Sequence, residues 1–210
     1  NPTPVGVYDT PGFPFHVSIS GEYAYVADWN SGLQIINIAQ PENPTYAASL
    51  GIPGYIYDVY IYRSYAYVAA DLSGLQIIDI TDPENPTRTG SYDADNVQVL
   101  GVYVRGKYAY TANGFSGLQV INITDPEEPT LTGSYNTPGF ALDVYLSGKY
   151  AFVTDYESGL QIINIAQPDN PTIVGSCDTP GKAYNVHISG NYAYVADDDS
   201  GLQIINLLPE

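Results

Sequence analysis

Apolar positions along the chain fall into short runs, and glycine, proline, asparagine or aspartate separates each run from the next. In the first 50 residues the runs cover 15–20, 23–27, 33–38 and 45–50. Runs of this length between turn-forming residues predict β-strands. No segment has the 3.6-residue apolar period of a helix. The pattern therefore predicts an all-β chain of short antiparallel hairpins.

This four-strand pattern repeats along the chain. Ser-Gly-Leu-Gln begins at residues 31, 73, 116, 158 and 200, and Pro-Thr begins at residues 2, 44, 86, 129 and 171. These markers divide one domain, residues 1–210, into units 1–42, 43–84, 85–127, 128–169 and 170–210. Four short strands in a unit of this length, repeated in tandem, are the signature of a propeller blade.

The strands themselves favour a propeller over a sandwich. The Tyr-Ala-Tyr-Val and Leu-Gln-Ile-Ile runs carry apolar residues on both faces. A sheet with one face in water would alternate apolar and polar residues more regularly. Blades are covered on both faces by their neighbours, so we predict a five-bladed β-propeller with four antiparallel strands per blade.

The two ends of the chain bear on ring closure. Residues 3–10 match the fourth strand of a blade, whereas the last unit supplies three strands that end near Leu207. We therefore expect the N-terminal strand to pair into the C-terminal blade, which closes the ring and removes an open sheet edge. Donation of residues 1–10 to a neighbouring copy is the alternative, and a slice of a longer array would have the same ends.

Composition excludes several function classes. The formal net charge is −17, with 23 acidic and six basic residues, so the chain lacks the basic patch that nucleic acid or an anionic membrane requires. No apolar stretch approaches the roughly 20 residues of a membrane helix, so we expect no membrane insertion. Cys177 is the sole cysteine, which excludes an internal disulfide. The absence of methionine and of a signal-peptide pattern suggests a processed product.

Three recurring runs resemble the LVIVD-repeat family: Tyr-Ala-Tyr-Val-Ala-Asp, Ser-Gly-Leu-Gln-Ile-Ile-Asp-Ile and Asp-Pro-Glu-Asn-Pro-Thr, clearest over residues 65–87. The resemblance covers essentially the whole chain. It implies a propeller from a bacterial or archaeal secreted or cell-surface protein, with no defined activity, catalytic residues or cofactor. The family's usual Asp is Asp79 in one unit and Asn37, Asn122, Asn164 and Asn206 in the others. This exchange predicts a structural hydrogen-bonding role for the position.

One face of the predicted propeller varies between units. It carries the second-to-third-strand hairpins and the loops between blades, where aromatic rings accompany aspartate and asparagine at the tips. A sugar ring or a protein partner would use such a surface, although the rings could also simply plug the mouth of the propeller. The candidate binding residues are Phe13, Phe15, Trp29, Tyr55, Tyr57, Phe115, Phe140, Tyr156 and Tyr184.

A second candidate site lies at the axis. The innermost strands align His16, Asp58, Asp143 and Asn185 at one level. This mixed ring suits ordered water better than a metal ion, so we predict no metal. Asp58 and Asp143 are the one carboxylate pair that could support glycoside chemistry. No nucleophile motif accompanies either histidine.

The sequence thus predicts a non-enzymatic extracellular or cell-surface module without cofactors. It would bind a carbohydrate or a protein partner through the aromatic face. The alternative is a structural subunit of an extracellular assembly, a fibre or a surface layer, formed by donation of residues 1–10. A glycoside-active enzyme is the remote alternative.

Overall fold

The computed structural model describes residues 1–93 and 97–207, and it confirms the predicted five-bladed β-propeller. The described residues form nineteen β-strands and one 3-10 turn, Asp198–Ser200. No helix among them is long and apolar enough to cross a membrane.

Each blade is an antiparallel meander whose strands lie side by side in chain order. Blade 1 contains β1 (His16–Ser20), β2 (Tyr23–Ala27), β3 (Leu33–Asn37) and β4 (Thr45–Leu50), and blade 2 contains β5 (Asp58–Tyr62), β6 (Tyr65–Ala69), β7 (Leu75–Asp79) and β8 (Thr87–Tyr92). Blade 3 contains β9 (Gly101–Arg105), β10 (Tyr108–Ala112), β11 (Leu118–Asn122) and β12 (Thr130–Tyr135), and blade 4 contains β13 (Asp143–Ser147), β14 (Tyr150–Thr154), β15 (Leu160–Asn164) and β16 (Thr172–Cys177). Blade 5 contains β17 (Asn185–Ser189), β18 (Tyr192–Ala196) and β19 (Leu202–Asn206). The first strands of successive blades are neighbours around the axis.

Four apolar clusters hold neighbouring blades together, one at each junction from blade 1 to blade 5. At the first junction Leu33 and Ile35 of blade 1 pack with Val59, Val68 and Ile78 of blade 2, and all five are buried. Burial of one such side chain contributes about 1.5–3 kcal/mol. Both faces of an internal blade are therefore covered, as the two-sided apolar pattern predicts.

The recurring Ser-Gly-Leu-Gln segment has a local structural role. The amide nitrogen of Gln34 donates to the carbonyl oxygen of Ser31 at 2.6 Å, and Gln161 does the same to Ser158 at 2.6 Å. Both glutamines are buried, so the bond satisfies a polar side chain inside the blade and fixes the hairpin.

The predicted role of the Asp or Asn position after the third strand is also confirmed. The side-chain oxygen of Asp79 accepts the backbone N–H of Thr81 at 2.8 Å, and Asn37 accepts that of Ala39 at 3.0 Å. Because either side chain offers the same acceptor oxygen, the turn tolerates loss of the charge.

A buried aspartate after the second strand clamps the loop that enters its blade. Asp155 accepts the hydroxyl of Thr137 at 2.5 Å and the backbone N–H of Gly139 at 2.7 Å. Asp28 holds Thr10 and Gly12 in the same way, and Asp197 holds Thr179 and Gly181. Blade 2 has an apolar pair in place of this clamp. Ile52 replaces the threonine of the loop, Ala70 replaces the aspartate, and both are buried.

The predicted ring closure needs correction. The fifth sheet has three strands in the described part of the chain, and residues 3–10 form no strand. Those residues instead lie against blade 1, where Tyr8 packs on Ala24, Val26 and Ile36. The clamp of Asp28 on Thr10 and Gly12 ties the segment there. No strand pairing joins blade 5 to blade 1 among the described residues, so strand exchange does not close the ring.

We expect Asp155→Ala to destabilise the fold by roughly 2–3 kcal/mol, because the buried Thr137 hydroxyl and Gly139 N–H both lose their acceptor. The double variant Thr137→Ile, Asp155→Ala reproduces the Ile52 and Ala70 pair of blade 2. It should recover about 1 kcal/mol of that loss, since one unsatisfied donor is removed. Urea unfolding of both variants measures the difference. Strictly additive losses would contradict the clamp.

Candidate functional site

The two candidate sites of the sequence meet in one cavity at the mouth of the central channel. The cavity measures about 400 Å³. Its lining contains four of the predicted aromatic residues, Phe15, Tyr57, Phe140 and Tyr184, and all four predicted axial residues, His16, Asp58, Asp143 and Asn185. The volume lies within the range of small-ligand sites.

The cavity has a polar floor and an apolar rim, and the first strand of each blade positions the residues of both. The residue at the start of the strand in blades 1, 2, 4 and 5 gives the floor, His16, Asp58, Asp143 and Asn185. The residue before it gives an apolar rim, Phe15, Tyr57, Leu100, Leu142 and Tyr184. In blade 3 the floor position is Gly101, where a Cβ atom would collide with the backbone of Leu142 and Asp143. The sequence reasoning missed Leu100 and Leu142, although the repeat register alone identifies them.

The two floor carboxylates fasten neighbouring blades. Asp58 accepts the N–H of Val59 in its own strand at 2.7 Å and that of Val102 in blade 3 at 2.8 Å. Asp143 likewise accepts from Val144 at 2.8 Å and from Val186 in blade 5 at 3.0 Å. All four carboxylate oxygens therefore take part in the scaffold as well as facing the cavity.

The floor is electrostatically asymmetric. Nδ1 of His16 lies 2.8 Å from Oδ1 of Asp58, and this hydrogen bond raises the pKa of His16 above its usual 6.5. Burial, together with the negative charge of Asp58, raises the pKa of Asp143 from 3.8 to about 7, because desolvation penalises the charged form. One side of the floor is therefore a hydrogen-bonded histidine and carboxylate, and the other side is a carboxyl group whose pKa is raised to about 7.

Below the floor the channel narrows among aromatic rings. A smaller cavity of about 200 Å³ shares the four floor residues and is lined by Tyr60, Tyr103, Tyr145 and His187. Successive ring centroids lie 4.6, 5.2 and 4.8 Å apart. Burial and a hydrogen bond with Tyr103 raise the pKa of Tyr60, so this hydroxyl stays neutral.

The remaining predicted aromatics form pairs around the cavity. Trp29 stacks on Tyr55 with ring centroids 4.5 Å apart and meets the edge of Phe13 at 5.5 Å. The other pairs are Phe15 with Tyr57, Phe115 with Phe140 and Tyr156 with Tyr184, at 5.2, 4.8 and 5.8 Å. Five of the nine rings are exposed, namely Phe13, Phe15, Tyr55, Phe115 and Tyr184. The nine rings thus form four groups of neighbours, and their role in binding stays a prediction.

Two aromatic tips have a strained backbone. Trp29 and Tyr156 have φ angles of 49° and 52°, in the left-handed region that bulky residues rarely adopt. Gly114 takes the same conformation at the equivalent tip of blade 3, with φ 48°. Because glycine would relieve the strain, the rings at these two tips carry a cost of about 1 kcal/mol or more each.

Four of the polar residues at the hairpin tips are buried and are not available to a ligand. Asp28, Asp155 and Asp197 are buried, and both carboxylate oxygens of each are bound by their clamp. Asn113 is also buried and donates to Gln119 at 3.2 Å. The signal that could have revealed the clamp is the paired change to Ile52 and Ala70 in blade 2. The polar groups that face the cavity are those of the floor and Gln98.

Comparison with known proteins settles the family. The LVIVD repeat matches residues 12–50, 53–94, 96–137, 138–179 and 180–206. The chain belongs to the LVIVD-repeat family. This confirms the resemblance drawn from the sequence. A search of curated proteins finds no match.

Solved structures with the same fold have very different sequences. The designed protein Ika8 matches with a TM-score of 0.72 at 9% identity, over 90% of this LVIVD chain and 57% of its own. The Myceliophteria thermophila Cps50 (Swd1) β-propeller domain matches with a TM-score of 0.71 at 12% identity, over 94% and 74% of the two chains. The designed protein Ika4 gives 0.64 at 6% identity, over 78% and 98%. The LVIVD chain thus spans little more than half of Ika8, and these likenesses concern the fold alone.

We expect Asp143→Asn, which copies Asn185 of blade 5, to flatten the pH dependence of stability. Because its pKa is raised, protonated Asp143 adds to the free energy of unfolding. This contribution is fully present below about pH 4 and is lost as the pH rises through about 7. The raised pKa of His16 also makes stability fall as the pH rises. His16 is present in both the wild type and the variant. From about pH 5 to about pH 8 the free energy of unfolding of the wild type should fall by on the order of 1 kcal/mol more than that of the variant. This figure is reduced to allow for screening by solvent in the cavity. Urea unfolding at both pH values measures this, and parallel profiles would contradict it.

Proposed function

We propose that this LVIVD propeller is a non-enzymatic binding module that takes a carbohydrate at the mouth of its channel. The observation that carries the proposal is the single cavity with aromatic Phe15, Tyr57 and Tyr184 above a polar floor of Asp143 and Asn185. Apolar ring faces above hydrogen-bonding groups are the arrangement that a sugar ring requires.

A carbohydrate fits better than a protein as the occupant. The cavity is concave and small, and its polar groups lie at the bottom rather than on a flat rim. Protein partners usually cover a broad surface of about 800 Å² on each side. A protein that inserts one side chain into the cavity is the other outcome that binding experiments would reveal.

The floor geometry supports binding over catalysis. A retaining or inverting glycosidase needs one carboxylic acid free to give its proton and one carboxylate free to act on the sugar or on water. Asp58 is held by His16, Val59 and Val102, and Asp143 by Val144 and Val186. Transfer of a proton would compete with the bonds that join the blades.

The hairpin tips add two further rings. The tip residue has a positive φ in every blade, and in blades 1 and 4 that residue is aromatic, Trp29 and Tyr156. Both residues pair with rings of the loop that leads to the next blade, Tyr55 and Tyr184. We place the module outside the cell or on its surface, as the family resemblance and the strongly acidic composition suggest.

Tyr57→Leu and Tyr184→Leu copy Leu100 and Leu142 of the neighbouring blades, so we expect both variants to fold. Each should weaken glycan binding by roughly tenfold, equivalent to about 1.4 kcal/mol, because a ring face is removed from the rim. A glycan array with the wild-type protein selects the ligand, and calorimetric titration compares the variants.

Trp29→Gly adds a second test, since it copies Gly114 and relieves the positive φ. We expect weaker binding with little change in thermal stability, because relief of the strained backbone offsets the lost contacts of Trp29 with Phe13 and Tyr55. The matched control is Tyr46→Leu, which copies Leu131 on an exposed outer strand and should leave the affinity unchanged. No binding across the array, or equal effects of Tyr46→Leu and Tyr57→Leu, would overturn the proposal.

A further inference from the structure

Blade 1 has one face that nothing in the described structure covers. Val17 and Ile19 of β1 are 53% and 65% exposed. The residues at the register of Val17 in the other blades are Val59, Val102, Val144 and Val186, and all four are buried against the preceding blade. An apolar strand face of this kind is costly to leave in water.

Blade 5 has the opposite face uncovered. Leu202 and Ile204 of β19 are 61% and 59% exposed. Their equivalents in the other blades are covered at the junction with the next blade. In blades 1 to 3 they are buried, Leu33 with Ile35, Leu75 with Ile77, and Leu118 with Val120. In blade 4 Leu160 is buried and Ile162 is half-buried. The two uncovered faces are therefore the two halves of the interface that occurs four times inside the chain.

The N-terminal segment already occupies a matching place. A Cβ atom added to Gly6 would collide with the carbonyl oxygen of Pro41. A Cβ atom added to Gly90 would collide in the same way with the carbonyl oxygen of Pro126. Gly90 lies in β8, the outermost strand of blade 2, and Pro126 lies in blade 3. Residues 3–8 thus lie against blade 1 as a fourth strand lies against the next blade. Val5 and Val7 in this segment are exposed.

We propose that a second copy of this chain docks head-to-tail on blade 5. Residues 3–8 of one copy become the fourth strand beside β19 of the other, and Val17 and Ile19 cover Leu202 and Ile204. The pairing of β15 with β16, in which Gln161 faces Ser176, sets the register. By that register Val7 lies opposite Gln203. The inference is independent of ligand binding in the cavity.

The occupant is a second copy because the two faces do not meet within one chain. Four interfaces of one type join neighbouring blades, whereas the apolar faces of blades 1 and 5 are both exposed and no strand pairing joins the two blades in the described chain. A copy offers the missing residue types in the right register. Because the two docking surfaces differ, the contact is heterologous and continues from copy to copy, either to a closed ring of copies or to a filament.

The junction between copies should be weaker than the internal ones. Inside the chain a hairpin tip pairs with the loop of the next blade, as in the N–H of Ile56 to the carbonyl oxygen of Trp29 at 3.1 Å. The equivalent of Ile56 in blade 1 is Pro14, which has no N–H to donate. Each copy also has a net charge of −17, so copies repel one another at low ionic strength. We expect reversible association that strengthens with salt.

Disulfide trapping tests the register directly. Val7→Cys and Gln203→Cys are made separately in a Cys177→Ser background, mixed and oxidised. Directly opposite residues of an antiparallel pair lie within disulfide reach, so the mixture should form cross-linked dimers. Glu84→Cys on blade 2 replaces Gln203→Cys in the control mixture. We expect at least about fivefold less dimer there.

The double variant distinguishes a neighbour from self-closure. Val7→Cys with Gln203→Cys in one chain should give a ladder of cross-linked multimers. A cross-linked monomer would show that the ring closes on itself, and it would overturn the proposal.

Light scattering gives a second readout. Leu202→Asp changes an exposed side chain, so the variant should fold and remain monomeric. The wild-type mass should rise as salt increases from about 50 mM to about 500 mM, because the Debye length shortens from about 14 to about 4 Å. A wild type that stays monomeric throughout would also overturn head-to-tail docking.

Discussion

Burial on both faces is the constraint on which this molecule depends. Each blade is a small sheet with apolar side chains on both sides, and neither side can be left in water at low cost. A neighbour on each side is the solution, and repetition of that solution around an axis produces the propeller. The same constraint explains why Leu33 is fully buried while its counterpart Leu202 is exposed. The difference lies in the neighbour, since the residue type and the local structure are the same.

The parts of the fold that depend on local chemistry could be predicted from the sequence. Strand and turn positions follow from short apolar runs and turn residues, and the exchange of Asp79 for Asn37 indicates a shared acceptor. The assembly of nine aromatic residues on one face follows from the alternation of loops between the two sides of a blade. Within this set the register also places Phe15 and Tyr57 at the same level of the cavity.

Ring closure could not be predicted in the same way. It depends on the rotation that accumulates over four blade junctions, and no short segment of sequence encodes that sum. The burial of Asp28 and Asp155 was missed for a different reason. Their exposure is decided by a threonine and a glycine that lie 16 to 18 residues earlier. A comparison between units, in which Ile52 and Ala70 change together, contains the missing information.

The incomplete covering of blade 5 also has a consequence for local stability. In a linear array each unit is stabilised by its own strands and by the interfaces it shares, and blade 5 shares one interface and has three strands in the described chain. It should therefore open more readily than the blades between neighbours, with faster amide exchange along β19. Tyr184 and Asn185 of this blade form part of the cavity wall. A ligand that touches both Tyr184 and Phe15 would join the most labile blade to the first one, and part of its binding free energy would be used to order that wall.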